Sequence, residues 1–126
     1  MTDTSIFLDS SIWLGYFLGN IEKTKEIIES EETILFTSII SIHEVFKRLN
    51  KQKQNSWKAV KFIEENSIIV NLNKNIAITA VKNCEKYKLH TTDSLIYSSS
   101  EEMKTIFITA DNDFKKTHNT IIIKTK

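Results

Sequence analysis

Glycine, proline and cysteine are nearly absent from this sequence, whose 126 residues include 2 Gly, 0 Pro and 1 Cys. A single cysteine excludes an intrachain disulfide framework and a cysteine-based zinc cluster. The two glycines, Gly15 and Gly19, lack the spacing of a dinucleotide-binding loop or a phosphate-binding P-loop. So few turn-forming residues also disfavour an all-β fold built on tight hairpins. If the protein handles phosphate, it must use groups other than a glycine-rich loop.

A basic leader and long apolar runs are also missing. The first residues, MTDTSIF, lack the cationic region that opens a secretory signal peptide. No stretch approaches the ~18 consecutive apolar residues of a membrane span. We therefore expect a cytoplasmic protein that does not span a membrane. With 40% hydrophobic residues the chain is too apolar to be disordered, and its length predicts a single domain over residues 1–126.

The net charge of +1, from 17 basic and 16 acidic residues, averages over unlike regions. Residues 45–63 contain cations and no acid, which indicates either a solvated helical hairpin or a phosphate-binding surface. Trp57, within this stretch, either stacks on a base or packs in a core or dimer contact. The six candidate phosphate-binding cations are Lys47, Arg48, Lys51, Lys53, Lys58 and Lys61.

Short β-branched runs alternate with helical patterns along the chain. Continuous apolar runs of this kind are typical of strands covered on both faces, and they fall at residues 6–8, 34–36, 68–70, 106–108 and 121–123. Apolar residues at helical spacing predict helices near residues 12–17, 21–30, 39–49, 56–65, 77–84 and 91–99. Ser10 or Ser11 is expected to cap the first helix. The alternation predicts an α/β fold, a three-layer sandwich with a central, mostly parallel sheet of about five strands.

Acidic residues follow two of the predicted strands. Asp9 comes directly after the first strand, and Asp111 comes three residues after Ile108, with Asp113 just beyond. Ligands of open parallel sheets bind beyond the carboxyl ends of the strands, so these carboxylates are expected at one sheet edge. Taken singly, Asp9 could cap a helix, and the other two could form Asx turns.

Two further acids lie in helical patterns. Glu44 is flanked by apolar positions, and Asp93 lies in the first turn of its helix. Taken singly, Glu44 could face solvent and Asp93 could simply favour the helix dipole. Gathered in one cleft, such carboxylates raise each other's pKa, and oxygen ligands without thiolates or organised histidines favour Mg²⁺ or Mn²⁺. A centre with one or two of these ions is suited to the in-line displacement of a phosphodiester.

Four segments carry these acids, and in order they are IFLDSSIW, SIISIHEVFKRL, LHTTDSLIYSSS and IFITADNDF. Through this ordered set, which spans nearly the whole chain, the sequence resembles the PIN-domain ribonucleases and the VapC-like toxins of toxin–antitoxin modules. The resemblance implies a parallel sheet of about five strands with helices on both faces. It also implies Mg²⁺- or Mn²⁺-dependent cleavage of single-stranded RNA.

Residue by residue, the resemblance assigns a catalytic and metal-binding quartet to Asp9, Glu44, Asp93 and Asp111, with Asp113 as an additional acid. Ser10 and Thr109 match hydroxyl residues that stand beside the first and last acids of the family. The six cations of residues 45–63 would then be the RNA-binding surface. The implied partners are the RNA substrate, a cognate antitoxin protein and a second copy of the chain in a homodimer.

Two other functions stay open at this point. A phospho-acceptor receiver domain has a similar length and an acidic Mg²⁺ pocket, but it needs an Asp at the end of the middle strand. Asn71 follows one candidate strand and Thr37 follows another, which argues against a receiver. A non-catalytic RNA- or protein-binding module on the same fold is the second alternative, although all four acids of the quartet are present.

Overall fold

The computed structural model describes residues 4–124, which form a five-stranded sheet with helices on both faces. The strands are β1 (Thr4–Leu8), β2 (Thr33–Ser38), β3 (Ile68–Val70), β4 (Ile106–Thr109) and β5 (Thr120–Ile122). The helices are α1 (Ser10–Leu18), α2 (Lys23–Ile28), α3 (Ile39–Lys51), α4 (Ser56–Asn66), α5 (Lys74–Tyr87) and α6 (Thr91–Glu102). A 3₁₀ turn at Asn112–Phe114 lies between the last two strands. The predicted α/β class and all five predicted strands are confirmed.

All four strand pairings are parallel, and the spatial order is β3-β2-β1-β4-β5. The chain therefore builds outward from β1 through β2 to β3 and then crosses to build β4 and β5 on the other side. The switch point lies between β1 and β4, which pair through Leu8 and Ile108 near their carboxyl ends. Open α/β sheets bind ligands at such a switch point. The order also differs from the 2-1-3-4-5 order of receiver-type folds.

Each central strand contributes side chains to two separate cores, because successive residues of a strand point to opposite faces. In β1, Ile6 and Leu8 pack with helices α1 to α4, whereas Phe7 packs with α5 and α6. In β4, Ile108 joins the first core and Phe107 joins the second. This alternation makes the three-layer sandwich, which leaves only the strand ends available to form a cleft.

The predicted starts of α3, α4 and α6 are confirmed, whereas α2 begins two residues later and α5 three residues earlier than predicted. The Ser38 hydroxyl accepts a hydrogen bond from the Ile40 backbone N–H at 3.0 Å, as expected for an N-cap of α3. The prediction that Ser10 or Ser11 caps α1 is wrong, because Asp9 occupies the N-cap position and makes no capping side-chain bond. Both serines instead lie in the first turn, where their hydroxyls bond to carboxylates.

Within residues 4–124, no helix is long and apolar enough to cross a membrane.

Each of the two glycines is at a position in or directly after α1 where a side chain would be unfavourable. Gly19 has a φ of 68°, the left-handed conformation that commonly ends a helix. Gly15 faces Ile21, and a Cβ at Gly15 would lie 2.7 Å from Ile21 Cδ1 and 2.9 Å from Ile21 Cβ. The absence of a side chain at Gly15 therefore lets the segment before α2 fold back onto α1.

We expect the substitution Gly15→Ala to lower the free energy of unfolding by about 1–3 kcal/mol, because the added methyl overpacks the contact with Ile21. Chemical denaturation followed by circular dichroism measures the loss. In an Ile21→Val background, which removes the nearest methyl, the loss should be smaller. An equal loss in both backgrounds would show that the contact with Ile21 is not its cause.

Candidate active site

Four carboxylates from four different elements line one open cleft of about 780 Å³ at the carboxyl edge of the sheet. Asp9 follows β1, Glu44 lies on α3, Asp93 lies in the first turn of α6, and Asp111 follows β4. We call this the acidic cleft. It opens at the switch point between β1 and β4. The structure thus brings the whole predicted quartet together.

Asp9 is the most constrained of the four, since its residue is only 4% exposed. The Thr109 hydroxyl donates to Asp9 Oδ2 at 2.6 Å, and the Ser11 hydroxyl donates to the same oxygen at 3.0 Å. Thr109 also accepts a hydrogen bond from the Asp111 backbone N–H at 3.0 Å. One buried hydroxyl therefore positions both the first and the last acid of the predicted quartet.

Ser11 is a site residue that the sequence analysis missed. Besides bonding Asp9, its hydroxyl oxygen accepts from the Ala110 backbone N–H at 2.9 Å. It thereby ties the first turn of α1 to the segment leaving β4. The available signal was a second hydroxyl two residues after Asp9, but a serine at a helix start is more simply read as a cap.

Glu44 faces the acidic cleft rather than solvent. The Ser10 hydroxyl donates to Glu44 Oε1 at 2.8 Å, which links α1 to α3. Ser10, predicted to support the site, thus contacts the second acid of the quartet directly and orients its carboxylate.

The tightest carboxylate group contains Asp93, Asp111 and Asp113, whose nearest oxygens all lie within 4.8 Å of one another. Asp111 Oδ1 accepts from the Asp113 backbone N–H at 2.9 Å, so the predicted Asx-type turn is present as well. That turn directs Asp113, which is exposed, toward the half-buried Asp93 and Asp111. The turn and the carboxylate cluster are therefore two aspects of one arrangement.

The surroundings of the acidic cleft oppose the ionisation of two of its acids, Asp9 and Asp93. Burial raises the pKa of Asp9 to about 6, and the charge of Glu44 adds to the rise, while the hydrogen bonds from Thr109 and Ser11 oppose it. The pKa of Asp93 is raised to about 6 as well, first by desolvation and then by the charges of Asp9, Asp111 and Glu44. A cation in the cleft would relieve this repulsion.

The basic surface divides into two parts. Lys47, Arg48 and Lys51 line the acidic cleft, because they follow Glu44 at helical spacing on one face of α3. The other three predicted cations are exposed but do not line this cleft, and they are Lys53, Lys58 and Lys61.

Trp57 lies in the first turn of α4 and is 74% exposed, with its ring edge-on to Phe46 at a centroid distance of 4.9 Å. Of the alternatives given above for Trp57, packing in the core is therefore excluded. Its large exposed ring is accounted for by neither core of the sandwich.

Comparison with solved structures finds 35 chains of similar fold. A toxin–antitoxin complex from Klebsiella pneumoniae gives a TM-score of 0.82 at 21% identity, over 96% of this chain and 99% of that one. VapBC2 from Rickettsia felis, bound to a DNA fragment from its promoter, gives 0.77 at 15% identity, over 98% and 100%. VapC20 of Mycobacterium tuberculosis, a sarcin-ricin loop cleaving toxin, gives 0.73 at 15% identity, over 90% and 95%.

No curated protein sequence matches the chain. The family model described as PIN domain, in contrast, matches residues 6–119. That range contains most of β1, all of β2 to β4 and all five acids of the cleft and its rim. The chain belongs to the PIN domain family.

Proposed function

We propose that this protein is a metal-dependent endoribonuclease that hydrolyses phosphodiester bonds of single-stranded RNA. The observation that carries the proposal is the meeting of Asp9, Glu44, Asp93 and Asp111 in one cleft whose rim is basic. Membership of the PIN domain family supports it, as does the likeness to a toxin named for cleaving the sarcin-ricin loop.

The donor set of the acidic cleft fits Mg²⁺ or Mn²⁺. It consists of carboxylate oxygens, and the pKa values of Asp9 and Asp93 are raised first by burial and then by the charges of neighbouring acids, both of which a bound cation would offset. The residues that would hold one or two ions are Asp9, Glu44, Asp93, Asp111 and Asp113. When bound, such an ion activates water and stabilises the charge that develops on the phosphate.

The protein's own contribution is to fix these acids in place. Thr109 and Ser11 hold the Asp9 carboxylate in one orientation. Ser10 holds Glu44, which is thereby positioned either to bind an ion or to orient the attacking water. Because the hydrogen bonds exist before substrate arrives, little reorganisation is needed during the reaction.

The cations would bind the RNA backbone. Lys47, Arg48 and Lys51 lie where phosphates next to the scissile bond would pass, and Arg48 can bind a phosphate through two parallel hydrogen bonds. Lys53, Lys58 and Lys61 extend the positive surface away from the acidic cleft, where they would act by longer-range attraction.

We further propose that the protein acts in the cytoplasm as the toxin of a toxin–antitoxin pair, with a cognate antitoxin and a homodimeric state. The support is that one structure of similar fold is named as a toxin–antitoxin complex and another as a toxin. The chain also offers a half-buried aromatic surface, where the rings of Tyr16 and Phe62 stack at a centroid distance of 5.5 Å. Trp13, by contrast, is fully buried and belongs to the core.

Replacing Asp93 by Asn should reduce Mn²⁺-dependent RNA cleavage by at least on the order of 100-fold, since a charge that holds the ion is lost. Cleavage of a labelled single-stranded RNA by purified protein, with the product ends mapped, measures the effect. The matched control is Glu64→Gln, an exposed acid of α4 outside the cleft. Wild-type protein that binds RNA without cutting it would favour a non-catalytic module, and phosphorylation by acetyl phosphate would favour a receiver.

Stability should depend on pH and metal in a linked way. Because the Asp93 pKa rises from 3.8 to about 6 on folding, the folded state binds protons more tightly, and this group's contribution to stability falls as the pH rises through that window. In EDTA, the loss of Tm across the window should be smaller for Asp93→Asn than for wild type. Adding MnCl₂ should restore the wild-type Tm at neutral pH and have less effect on the variant. Identical pH and Mn²⁺ profiles for both proteins would contradict the assignment.

The toxin assignment predicts a partner. Sedimentation of the purified chain alone should give the mass of a homodimer. The product of a neighbouring small reading frame should co-purify with the chain and inhibit its cleavage of RNA. Co-purification should persist with Asp93→Asn, because the partner contacts the surface of the acidic cleft and not the ion alone. A monomeric chain with no such partner would contradict the toxin assignment without contradicting the proposed nuclease activity.

A further inference from the structure

A second cleft, lined by basic side chains, adjoins the acidic cleft. It has a volume of about 540 Å³ and lies between the end of α5, the start of α6 and the turn that follows β4. We call it the lysine cleft, because four of the side chains that line it are lysines, namely Lys86, Lys88, Lys115 and Lys116. None of these belongs to the acid-free stretch at residues 45–63.

The lysine cleft and the acidic cleft share Asp93, and the lysine cleft also contains Asp113. Both acids belong to the group whose oxygens lie within 4.8 Å of one another. The two clefts therefore meet at the carboxylates. A molecule bound in the lysine cleft would lie directly beside the place where the proposed reaction occurs.

The lysines of this cleft are not used to hold the fold together. Across residues 4–124, no carboxylate lies within ion-pair distance of Lys88, Lys115 or Lys116, and all three are exposed. The ammonium of Lys86 lies 5.1 Å from the centre of the Tyr87 ring. Like charges gathered on one concave surface repel each other, so their concentration here favours a ligand with several negative charges.

Single-stranded nucleic acid fits this arrangement better than an isolated anion. Lys47, Arg48 and Lys51 line the acidic cleft, and the four lysines line the adjoining cleft that shares Asp93 with it. A strand that carries a phosphate at each nucleotide can contact both basic surfaces while one phosphate lies at the carboxylates. An isolated phosphate would occupy only one of the two.

We propose that the lysine cleft is a second binding site for the RNA backbone, so that the substrate occupies basic surfaces on both sides of the carboxylates. This inference rests on the proposed function. The strand enters over one basic surface and leaves over the other, and efficient cleavage therefore needs nucleotides on both sides of the bond that is cut. An RNA that ends at the scissile bond would lose one of the two surfaces.

The test combines two pairs of substitutions with RNA length. One variant is Lys88→Ala/Lys115→Ala, the other is Lys47→Ala/Lys51→Ala, and the control is Lys23→Ala/Lys25→Ala, two exposed lysines of α2 that line neither cleft. The substrates are RNA oligonucleotides of about 12 nucleotides around a mapped cleavage position, and shorter versions trimmed from one end or the other.

With the long RNA, the substitutions in each cleft should lower kcat/KM about tenfold. The slope of log kcat/KM against log salt concentration should become shallower by about 1.4, which is ~0.7 for each of the two lost phosphate contacts. Trimming one end should abolish the effect of Lys88→Ala/Lys115→Ala and preserve that of the α3 pair. Trimming the other end should do the reverse. The α2 control should match wild type throughout.

Three outcomes overturn the inference. One is that the Lys88→Ala/Lys115→Ala protein behaves like the α2 control, and another is that both cleft variants respond to the same end of the RNA. The third is that the Lys88→Ala/Lys115→Ala protein keeps its affinity for RNA but loses affinity for a polyglutamate peptide. That result would assign the lysine cleft to an acidic protein segment. If wild-type protein cuts no RNA, the proposed function fails, and fluorescence anisotropy with the same RNA series still tests the cleft.

Discussion

The hydrogen bond from Thr109 to Asp9 joins the carboxyl ends of the two strands on which the site depends. It connects residues 100 positions apart, across the only place in the described sheet where strands built in opposite directions meet. A buried carboxylate needs such partners, because burial without hydrogen bonds costs several kcal/mol. With Thr109 also accepting from the Asp111 backbone, one hydroxyl sets the spacing between the first and last acids.

The charge distribution follows from that arrangement. Acids gather where β1 and β4 end, and burial, with a smaller contribution from neighbouring charges, raises the pKa values of Asp9 and Asp93. Cations from α3 line the acidic cleft, and cations from the α5–α6 junction and the turn after β4 line the adjoining lysine cleft. A nearly neutral total thus conceals a strong local separation of charge, which is the property that a polyanionic substrate would detect.

Sequence reasoning predicted the five strands, the parallel sheet and the convergence of the quartet, because alternation and the strand-end rule both follow from local patterns. It did not predict the bonds of Ser10 and Ser11 to carboxylates, since a serine at a helix start is ordinarily a cap. It also missed the lysine cleft, whose residues come from two short segments that only the folded chain brings together. It also did not predict which of the six cations of residues 45–63 line the acidic cleft. That depends on where α3 ends and α4 begins, because Lys51 belongs to α3 and Lys58 to α4.

The distance in sequence between Asp9 and Thr109 has a consequence for synthesis. A growing chain makes Asp9, Glu44 and Asp93 well before it makes Asp111 and Asp113, and the buried partner that orients Asp9 comes only with β4. Until that strand inserts beside β1, the carboxylates have no common cleft. The full set of carboxylates therefore comes together only late in translation, once β4 has been made and pairs with β1.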